Sequence, residues 1–145
     1  MTFPTELQIY QNLESHFVTN WGVKTKVVFP NTTPSQFSGS YTDSDSYLQV
    51  TLLYPGAISF GMDDAPTTPR SQTYILHVNI YTFKERGVQQ AITYTDNLNT
   101  IFRGLNIVGT NVCMMFEASK YSLTSRTDEA YSITTWTCPF VCFLS

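Results

Sequence analysis

The spacing of apolar residues near the N-terminus is typical of an amphipathic helix, with intervals of three and four residues. The apolar positions are Leu7, Ile9, Tyr10, Leu13 and Phe17. Thr5 and Gln8 have the spacing of a capping box, in which each side chain bonds the other residue's backbone N–H. We therefore expect a helix that begins beside Thr5 and ends at Trp21-Gly22.

A second helical pattern lies between Gly87 and Gly104. Its apolar stripe comprises Val88, Ala91, Thr95, Leu98 and Phe102. Polar residues on the other positions, including Gln90 and Asn99, are expected to face outward. Gly104 suits a left-handed C-cap, because glycine has no Cβ to clash in that conformation.

Alternating or β-branched runs predict the strands. These runs are Thr25–Phe29, Tyr47–Tyr54, Gln72–Phe83, Ile107–Glu117 and Ala130–Leu144. Pro55-Gly56 is expected to break the second strand, with a short continuation at 57–60. The last two strands are expected to form an antiparallel hairpin. Pro139 cannot donate a ladder hydrogen bond, which favours an edge or a bulge at that position.

Mobile loops are predicted near 31–46, 61–71 and 118–130, where polar and turn-forming residues collect. The whole chain, 1–145, is expected to be a single domain. The predicted fold class is α+β, with a mainly antiparallel sheet and two helices packed on one face. The other face would carry Tyr81, Thr135 and Thr137, stay partly exposed, and contact a further copy of the chain.

Composition favours assembly over catalysis. Charged residues make up 13% of the chain, against about 25% in ordinary domains, while nine Tyr, ten Phe and two Trp are present. Interface cores are similarly poor in charge and rich in aromatics. The net charge of −3 and the lack of a basic run argue against direct sequence-specific nucleic-acid binding. No apolar run approaches the roughly 20 residues of a membrane helix.

Catalytic and metal-binding patterns are absent from the sequence, so we expect no enzyme activity, no cofactor and no metal. His16 and His77 lack neighbours at metal-ligand spacing, and nothing requires a nucleophilic pair of Cys113 with His77. The carboxylates of Asp43 and Asp45, like those of the Asp63-Asp64 pair, are interpreted as solvated loop charges.

The three cysteines are interpreted as free thiols in a reducing environment. An odd number cannot pair completely within one chain. Cys138 and Cys142 are predicted to lie on the same face of a strand, four residues apart and too distant to bond.

The order of these elements resembles the tail-terminator, or tail-completion, proteins of long-tailed bacteriophages. A short strand closes in Val28-Phe29-Pro30-Asn31, and the long strand passes through 84–87 directly into the second helix. The final strand carries Trp136-Thr137-Cys138-Pro139-Phe140, similar to that family's terminal strand with its Pro-Phe step. The likeness spans nearly the whole chain, although 114–129 lacks the short glycine turn of the family.

The resemblance implies a structural virion protein of the tail or neck, assembled in the host cytoplasm. Such a subunit would form a homohexameric ring that caps the tail tube, stops polymerisation of the tail tube protein and meets the head–tail connector or stopper protein. Residues expected to make interactions are Met62, Asp63, Asp64, Arg70, Tyr81, Lys120, Arg126 and Asp128. The alternatives are a head–tail connector, a tube protein, or a small ligand-binding α+β domain with a deep pocket.

Overall fold

The computed structural model describes residues 5–30, 41–43, 45–59, 70–83, 87–109, 112–128 and 131–143. Within these residues there are two helices and seven strands. The helices are α1 (Glu6–Trp21) and α2 (Gly87–Phe102). The strands are β1 (Lys26–Val28), β2 (Tyr47–Ser59), β3 (Arg70–Phe83), β4 (Asn106–Gly109), β5 (Val112–Phe116), β6 (Lys120–Asp128) and β7 (Tyr131–Phe143).

All seven strands belong to one sheet, in the order β1-β2-β3-β7-β5-β4. Strand β6 lies off this path and pairs with β7. β1 is parallel to β2, and every other pairing is antiparallel. Both helices contribute side chains to one buried cluster with the sheet. The predicted α+β class, with a mainly antiparallel sheet, is confirmed.

Helix α1 begins with the predicted capping box. The Thr5 amide donates to Gln8 Oε1 at 2.8 Å, and the Gln8 amide donates to Thr5 Oγ1 at 3.2 Å. The helix ends at Gly22, whose φ of 68° is costly for residues with a side chain. Its buried stripe is Ile9, Leu13, Phe17 and Trp21, spaced one helical turn apart. Of the apolar residues noted in the sequence, Leu13, Phe17 and Ile9 lie on this stripe, whereas Tyr10 is half-buried and Leu7 is 63% exposed.

Helix α2 buries four of the five predicted apolar-stripe positions, namely Ala91, Thr95, Leu98 and Phe102. Val88, in the first turn, is instead 45% exposed. Tyr94, which the apolar pattern did not include, is buried. Gly104 has a φ of 70°, so the predicted left-handed C-cap is confirmed.

We call the helix-covered side of the sheet the inner face. Its main residues are Leu48, Val50, Tyr74, Leu76, Val78, Ile80, Met114, Phe116, Trp136, Cys138, Phe140 and Cys142. Aromatic rings join the helices to this face: the Phe102 centroid lies 5.2 Å from that of Phe17 and 5.9 Å from that of Trp136. Each such pair adds about 0.5–1.5 kcal/mol beyond the area it buries. The inner face is therefore the hydrophobic core of the molecule.

The segment predicted as one strand, 107–117, forms two strands. β4 and β5 pair antiparallel, from Asn106 with Met115 to Gly109 with Val112. Only the second of them, β5, continues into the sheet by pairing with β7. An apolar run of this length therefore encodes a short hairpin at the sheet edge.

The loop predicted near 118–130 is wrong in its central part, because Lys120–Asp128 is strand β6. It pairs with β7 from Lys120 opposite Thr137 to Asp128 opposite Tyr131, with a register shift between Ser122 and Arg126. The hairpin that involves β7 is thus β6–β7, although β5 also lies antiparallel beside β7 as predicted. A polar strand at the edge of a sheet does not require alternating apolar residues, so the hydrophobic pattern gave no signal for β6.

Two prolines fall within strands. Pro139 was predicted at an edge or a bulge, yet it pairs with Ile75 in the central strand β7. On the other side of β7, the partner changes there from β6, ending at Thr137, to β5, beginning at Phe140. The missing N–H is therefore tolerated, because Pro139 lies in the gap between the β6–β7 ladder and the β5–β7 ladder. Pro55 marks a register shift in β2 and not a break, since β2 continues to Ser59.

The predicted mobile loop near 31–46 is held in place where it is described. The Thr42 amide donates to the Val23 carbonyl at 2.8 Å, and the Asp43 amide donates to the Lys24 carbonyl at 2.9 Å. Residues 31–40 and 44, and residues 60–69 of the second predicted loop, lie outside the described residues. Arg70 and Ser71, predicted in that second loop, belong to β3.

Candidate assembly surface

The side of the sheet away from the helices, which we call the outer face, is built from neighbouring side chains on β2, β3 and β7. The strand register arranges them in rows. The rows are Tyr47–Tyr81–Ile133, Gln49–Asn79–Thr135, Thr51–His77–Thr137 and Leu53–Ile75–Pro139. Most of these side chains are half-buried or exposed, whereas those of the inner face are almost fully buried.

One end of the outer face is an aromatic cluster. The rings of Tyr47 and Tyr81 stack at 4.4 Å with an interplanar angle of 8°. Tyr131 meets Tyr47 edge-on at 5.5 Å, and Phe83 meets Tyr131 edge-on at 6.2 Å. These contacts restrict the rotamers of large half-exposed rings. Covering these rings with a partner therefore costs little of the rings' own side-chain entropy.

The middle rows carry amides and hydroxyls. The Tyr81 hydroxyl donates to Gln49 Oε1 at 3.1 Å, and the Thr135 hydroxyl donates to Asn79 Oδ1 at 3.0 Å. None of the twelve positions in the four described rows is Asp, Glu, Lys or Arg. The part of the outer face made by β2, β3 and β7 can therefore be covered without desolvating a charge, but Lys120 on β6 continues the third row beyond Thr137.

An apolar corner extends the outer face toward β4 and β5. Met115 pairs with Val141, and Cys113 lies between Val108 and Phe143. Val108 is 75% exposed and Met115 is 45% exposed. Among the described residues, this corner holds the most exposed large apolar side chain, that of Val108.

The predicted interaction residues divide among several places. Tyr81 lies on the outer face, with Thr135 and Thr137 beside it as expected. Lys120 is exposed at the start of β6, opposite Thr137. The backbone of the other three described members is paired within the sheet: Arg70 with Ser59, Arg126 with Ile133 and Asp128 with Tyr131. Met62, Asp63 and Asp64 lie outside the described residues.

A small apolar hollow lies at the end of α1, against β1. Its volume is about 120 Å³, and it is lined by Val18, Trp21, Thr25, Val27, Phe29 and Tyr41. The Trp21 indole N–H donates to Thr25 Oγ1 at 3.1 Å, and the Thr25 hydroxyl donates to the Lys26 carbonyl at 3.1 Å. β1 is the first strand of the sheet, so this hollow and the apolar corner lie at opposite edges.

A second, more polar groove of about 370 Å³ runs between the C-terminal halves of the two helices. It is lined by His16, Asn20, Lys24, Asn97, Thr100 and Ile101. The His16 ring packs edge-on against Phe102 at 5.7 Å. The Lys24 ammonium donates to the Trp21 carbonyl at 3.1 Å and so caps the end of α1. His16 is thus half-buried and packs on the aromatic core.

Asp43, interpreted from the sequence as a solvated loop charge, is instead 5% exposed. Its Oδ2 accepts from the Tyr94 hydroxyl at 2.7 Å and from Gln90 Nε2 at 2.6 Å. Its Oδ1 accepts from the Asp45 and Ser46 amides at 3.1 and 3.2 Å. Burial opposes ionisation, but these hydrogen bonds outweigh it, so the pKa of the carboxyl lies below its ordinary value. The prediction that Gln90 faces outward is therefore wrong.

Asn99 was also predicted to face outward and instead contacts the core. Its Oδ1 accepts from the Trp136 indole N–H at 2.9 Å and from the Ser119 hydroxyl. Trp136 is fully buried. A single amide oxygen thus ties α2 to β7 and to the segment that leads into β6.

No reactive constellation forms among the described residues. His77 lies opposite Thr137 and Cys113 opposite Phe143. At about 3.4 Å per residue these positions are roughly 20 Å apart along β7, so the pair does not meet. The described residues contain no group of three or more His, Cys, Asp or Glu side chains placed to hold a metal ion. No helix in that same part of the chain is long and apolar enough to span a membrane.

All three cysteines are free thiols, as predicted. Cys138 and Cys142 are fully buried on the inner face, where burial raises the pKa of each thiol to about 12. The Cys138 thiol donates to the Glu117 carbonyl at 3.2 Å. Cys113 is only half-buried. The three thiols therefore differ in their access to solvent, and burial disfavours the thiolate forms of Cys138 and Cys142.

The sequence matches no protein-family model and no curated protein. Among solved structures, one chain superposes on 92% of this chain and 94% of its own length, with a TM-score of 0.68 and 13% sequence identity. At that identity the likeness concerns the fold alone. The chain is therefore similar to a protein of known structure throughout nearly its whole length, with the same arrangement of helices and sheet.

Proposed function

We propose that this chain is a structural subunit of a bacteriophage tail, a tail terminator that assembles into a closed ring. The ring would cap the tail tube, stop growth of the tube and meet the head–tail connector. Supporting this proposal are the predicted order of elements, the low charge of the chain and the character of the outer face.

The observation that carries the proposal is the outer face across β2, β3 and β7, which is uncharged, although its third row continues into Lys120 on β6. Its four rows combine a stacked aromatic cluster with amide and hydroxyl side chains and no formal charge. Surfaces buried between subunits are depleted in charge and enriched in aromatics, because such groups are desolvated at low cost. The solvated face of an ordinary antiparallel sheet is polar rather than rich in aromatic rings.

A ring places a specific demand on this surface. Cyclic assemblies larger than dimers use heterologous contacts, in which one surface of each copy meets a different surface of the next. The rotation between neighbours then fixes the number of copies. The outer face supplies one of the two surfaces, and no catalytic group is needed for the task.

The first test is the solution mass of the purified chain by light scattering, over a concentration series and with tail tubes present. A discrete species near six times 16.4 kDa, roughly 98 kDa, is the expected result. Growth into long cylinders would show that the chain is a tube protein. A monomer that ignores tubes would overturn the proposal and favour a small ligand-binding domain.

A charge variant tests whether the outer face is the contact. Asn79→Asp keeps the side-chain shape but places a charge among uncharged neighbours in the second row. We expect the concentration needed for half-assembly to rise by about tenfold or more, because the charge must be desolvated. Gln89→Glu is the matched control, since it adds the same charge at an exposed position of α2. Equal effects of both variants would remove the outer face from the interface.

A further inference from the structure

His77 occupies the middle of the outer face. It belongs to the central strand β3, where it is paired with Thr51 of β2 and Thr137 of β7, and its side chain is half-buried. The row of amides and hydroxyls lies on one side of it, and the apolar row that contains Ile75 lies on the other. A contact that covers the outer face therefore covers this imidazole as well.

The imidazole is the one side chain of the four rows that belongs to a residue type ordinarily titrating between pH 5 and 8. The other titratable residues among the twelve positions are Tyr47 and Tyr81, and a tyrosine ordinarily ionises near pH 10. A histidine ordinarily has a pKa of about 6.5. The four rows thus carry no formal charge at about pH 8 and gain a positive charge at His77 as the pH falls.

Charged residues lie around the four rows and not within them. Lys120 continues the row of His77 beyond Thr137, about 10 Å away across two strands. The Glu117 amide donates to the Pro139 carbonyl at 2.8 Å, which places Glu117 beside the neighbouring apolar row. Other charged residues are paired further away: Lys26 opposite Tyr47, Arg126 opposite Ile133 and Asp128 opposite Tyr131. No Asp or Glu occupies a described register position directly beside His77, whereas Lys120 opposes a second positive charge in its row.

Covering the outer face removes water from the imidazole, and desolvation disfavours the charged form of a histidine. The pKa of His77 is therefore expected to be lower in the covered subunit than in the free subunit. A group that binds its proton more tightly in the free state weakens assembly as the pH falls through the free-state pKa. The association constant of each contact should then fall by up to about tenfold per pH unit.

We propose that His77 makes assembly of this chain pH-dependent: the neutral imidazole is compatible with a covered outer face, and the imidazolium opposes it. This inference rests on the proposed ring and concerns the regulation of its contact surface. The net charge acts in the opposite direction, because it rises from −3 at pH 7 toward zero near the pI of about 5.2, which favours association. A loss of assembly on acidification is therefore not an effect of net charge.

The test is light scattering over a concentration series between about pH 8 and pH 5.5, with tail tubes present. For the wild type we expect a nearly constant half-assembly concentration from about pH 8 to 7. Below about pH 6.5 that concentration should rise by about tenfold per pH unit.

Three variants assign the effect to one side chain. His77→Gln has no titrating group, so its half-assembly concentration should not rise on acidification. His77→Lys carries a charge throughout this range and should need about tenfold or more protein to assemble even at about pH 8. His16→Gln is the matched control, because the chain has two histidines and His16 lies in the groove between the helices. This control should keep the pH dependence of the wild type.

The outcomes separate this inference from the proposed function. Rings that form equally well at both ends of the pH range would overturn the inference and leave the ring proposal standing. A pH dependence that persists in His77→Gln, as acid unfolding would produce, or that disappears in His16→Gln would also overturn the inference alone. Absence of assembly at every pH, with or without tail tubes, would overturn both.

Discussion

The two faces of the sheet are made by the same strands but use their side chains differently. On the inner face, Leu76, Val78 and Trp136 are fully buried beneath two helices. On the outer face, their immediate neighbours Ile75, His77 and Thr137 are half-buried. The alternation of a strand therefore separates a core from a contact surface within a distance of one residue. Substitutions at adjacent positions should consequently affect different properties.

The largest expected difference is between Leu76→Ala and Ile75→Ala, adjacent positions of similar size in β3. Loss of Leu76 leaves a cavity in the core and should lower the free energy of unfolding by about 2–5 kcal/mol. Loss of Ile75 should cost about 1 kcal/mol or less, because its surroundings are already partly solvated. Chemical denaturation of both variants measures the contrast. Similar losses would show that the outer face is as important to folding as the inner face.

The second prediction concerns the buried carboxylate of Asp43, which is hydrogen-bonded to two side chains of α2. Asp43→Asn leaves the hydroxyl of Tyr94 and the amide of Gln90 facing a donor, and should cost about 1–3 kcal/mol at pH 7. Because the pKa of Asp43 is lowered on folding, its ionised form stabilises the protein above the ordinary pKa of an aspartate. That contribution is lost as the pH falls through the lowered value.

The difference between wild type and Asp43→Asn should accordingly shrink as the pH falls below about 3.9, the ordinary pKa of an aspartate, and through the lowered pKa of Asp43. Urea unfolding at several pH values is the measurement. Asp45→Asn is the control, since Asp45 is exposed and contributes its backbone amide to this network. A difference that stays constant with pH would show that the carboxylate charge is not what the network stabilises.

A smaller contrast compares two asparagines that both accept a hydrogen bond from β7: Asn99 of α2, on the inner side of the sheet, and Asn79, on the outer face. Asn99 accepts a hydrogen bond from buried Trp136, and Asn79 accepts one from half-buried Thr135. Asn99→Ala should cost about 1–2 kcal/mol, because an indole N–H is left in the core without this acceptor. Asn79→Ala should cost roughly 0.5 kcal/mol, since water can replace its partner. Thermal unfolding of both variants compares them, and equal losses would contradict the distinction between the faces.

The last prediction changes reactivity and not stability. Cys138 and Cys142 lie on the inner face with thiol pKa values of about 12, whereas Cys113 is half-buried on the other side. At pH 7.5 a maleimide should modify one thiol of the native protein, and all three in denaturant. Mass spectrometry over time counts the modified thiols. Rapid modification of two or three in the native state would mean that the inner face opens frequently.

Local signals in the sequence were sufficient for the helices. The capping box of Thr5 with Gln8 and the left-handed Gly104 depend on residues within one turn, so spacing alone predicts them. The outer position of Tyr81 and Thr135 follows similarly from strand alternation. These features are encoded within a few residues of the place where they act.

The features that were missed depend on distant partners. Asp43 is buried by Tyr94, 51 residues away, and Asn99 bonds Trp136, 37 residues away. The one local signal for Asp43 was its position two and three residues before amides that its side chain can bond. Strand β6 was missed because Ser and Thr at an edge give no apolar alternation. The hollow beside α1 exists only once β1 packs against the helix.

The position of β7 in the middle of the sheet has a consequence for biosynthesis. β7 pairs with β3, β5 and β6, all of which precede it in the chain. A ribosome must therefore complete β7 before β3 gains its second neighbour, and until then Leu76 and Val78 face an unfinished core. Contacts so far apart in sequence slow folding and prolong the exposure of apolar strands. The nascent chain should accordingly depend on chaperones until its C-terminal strand has emerged.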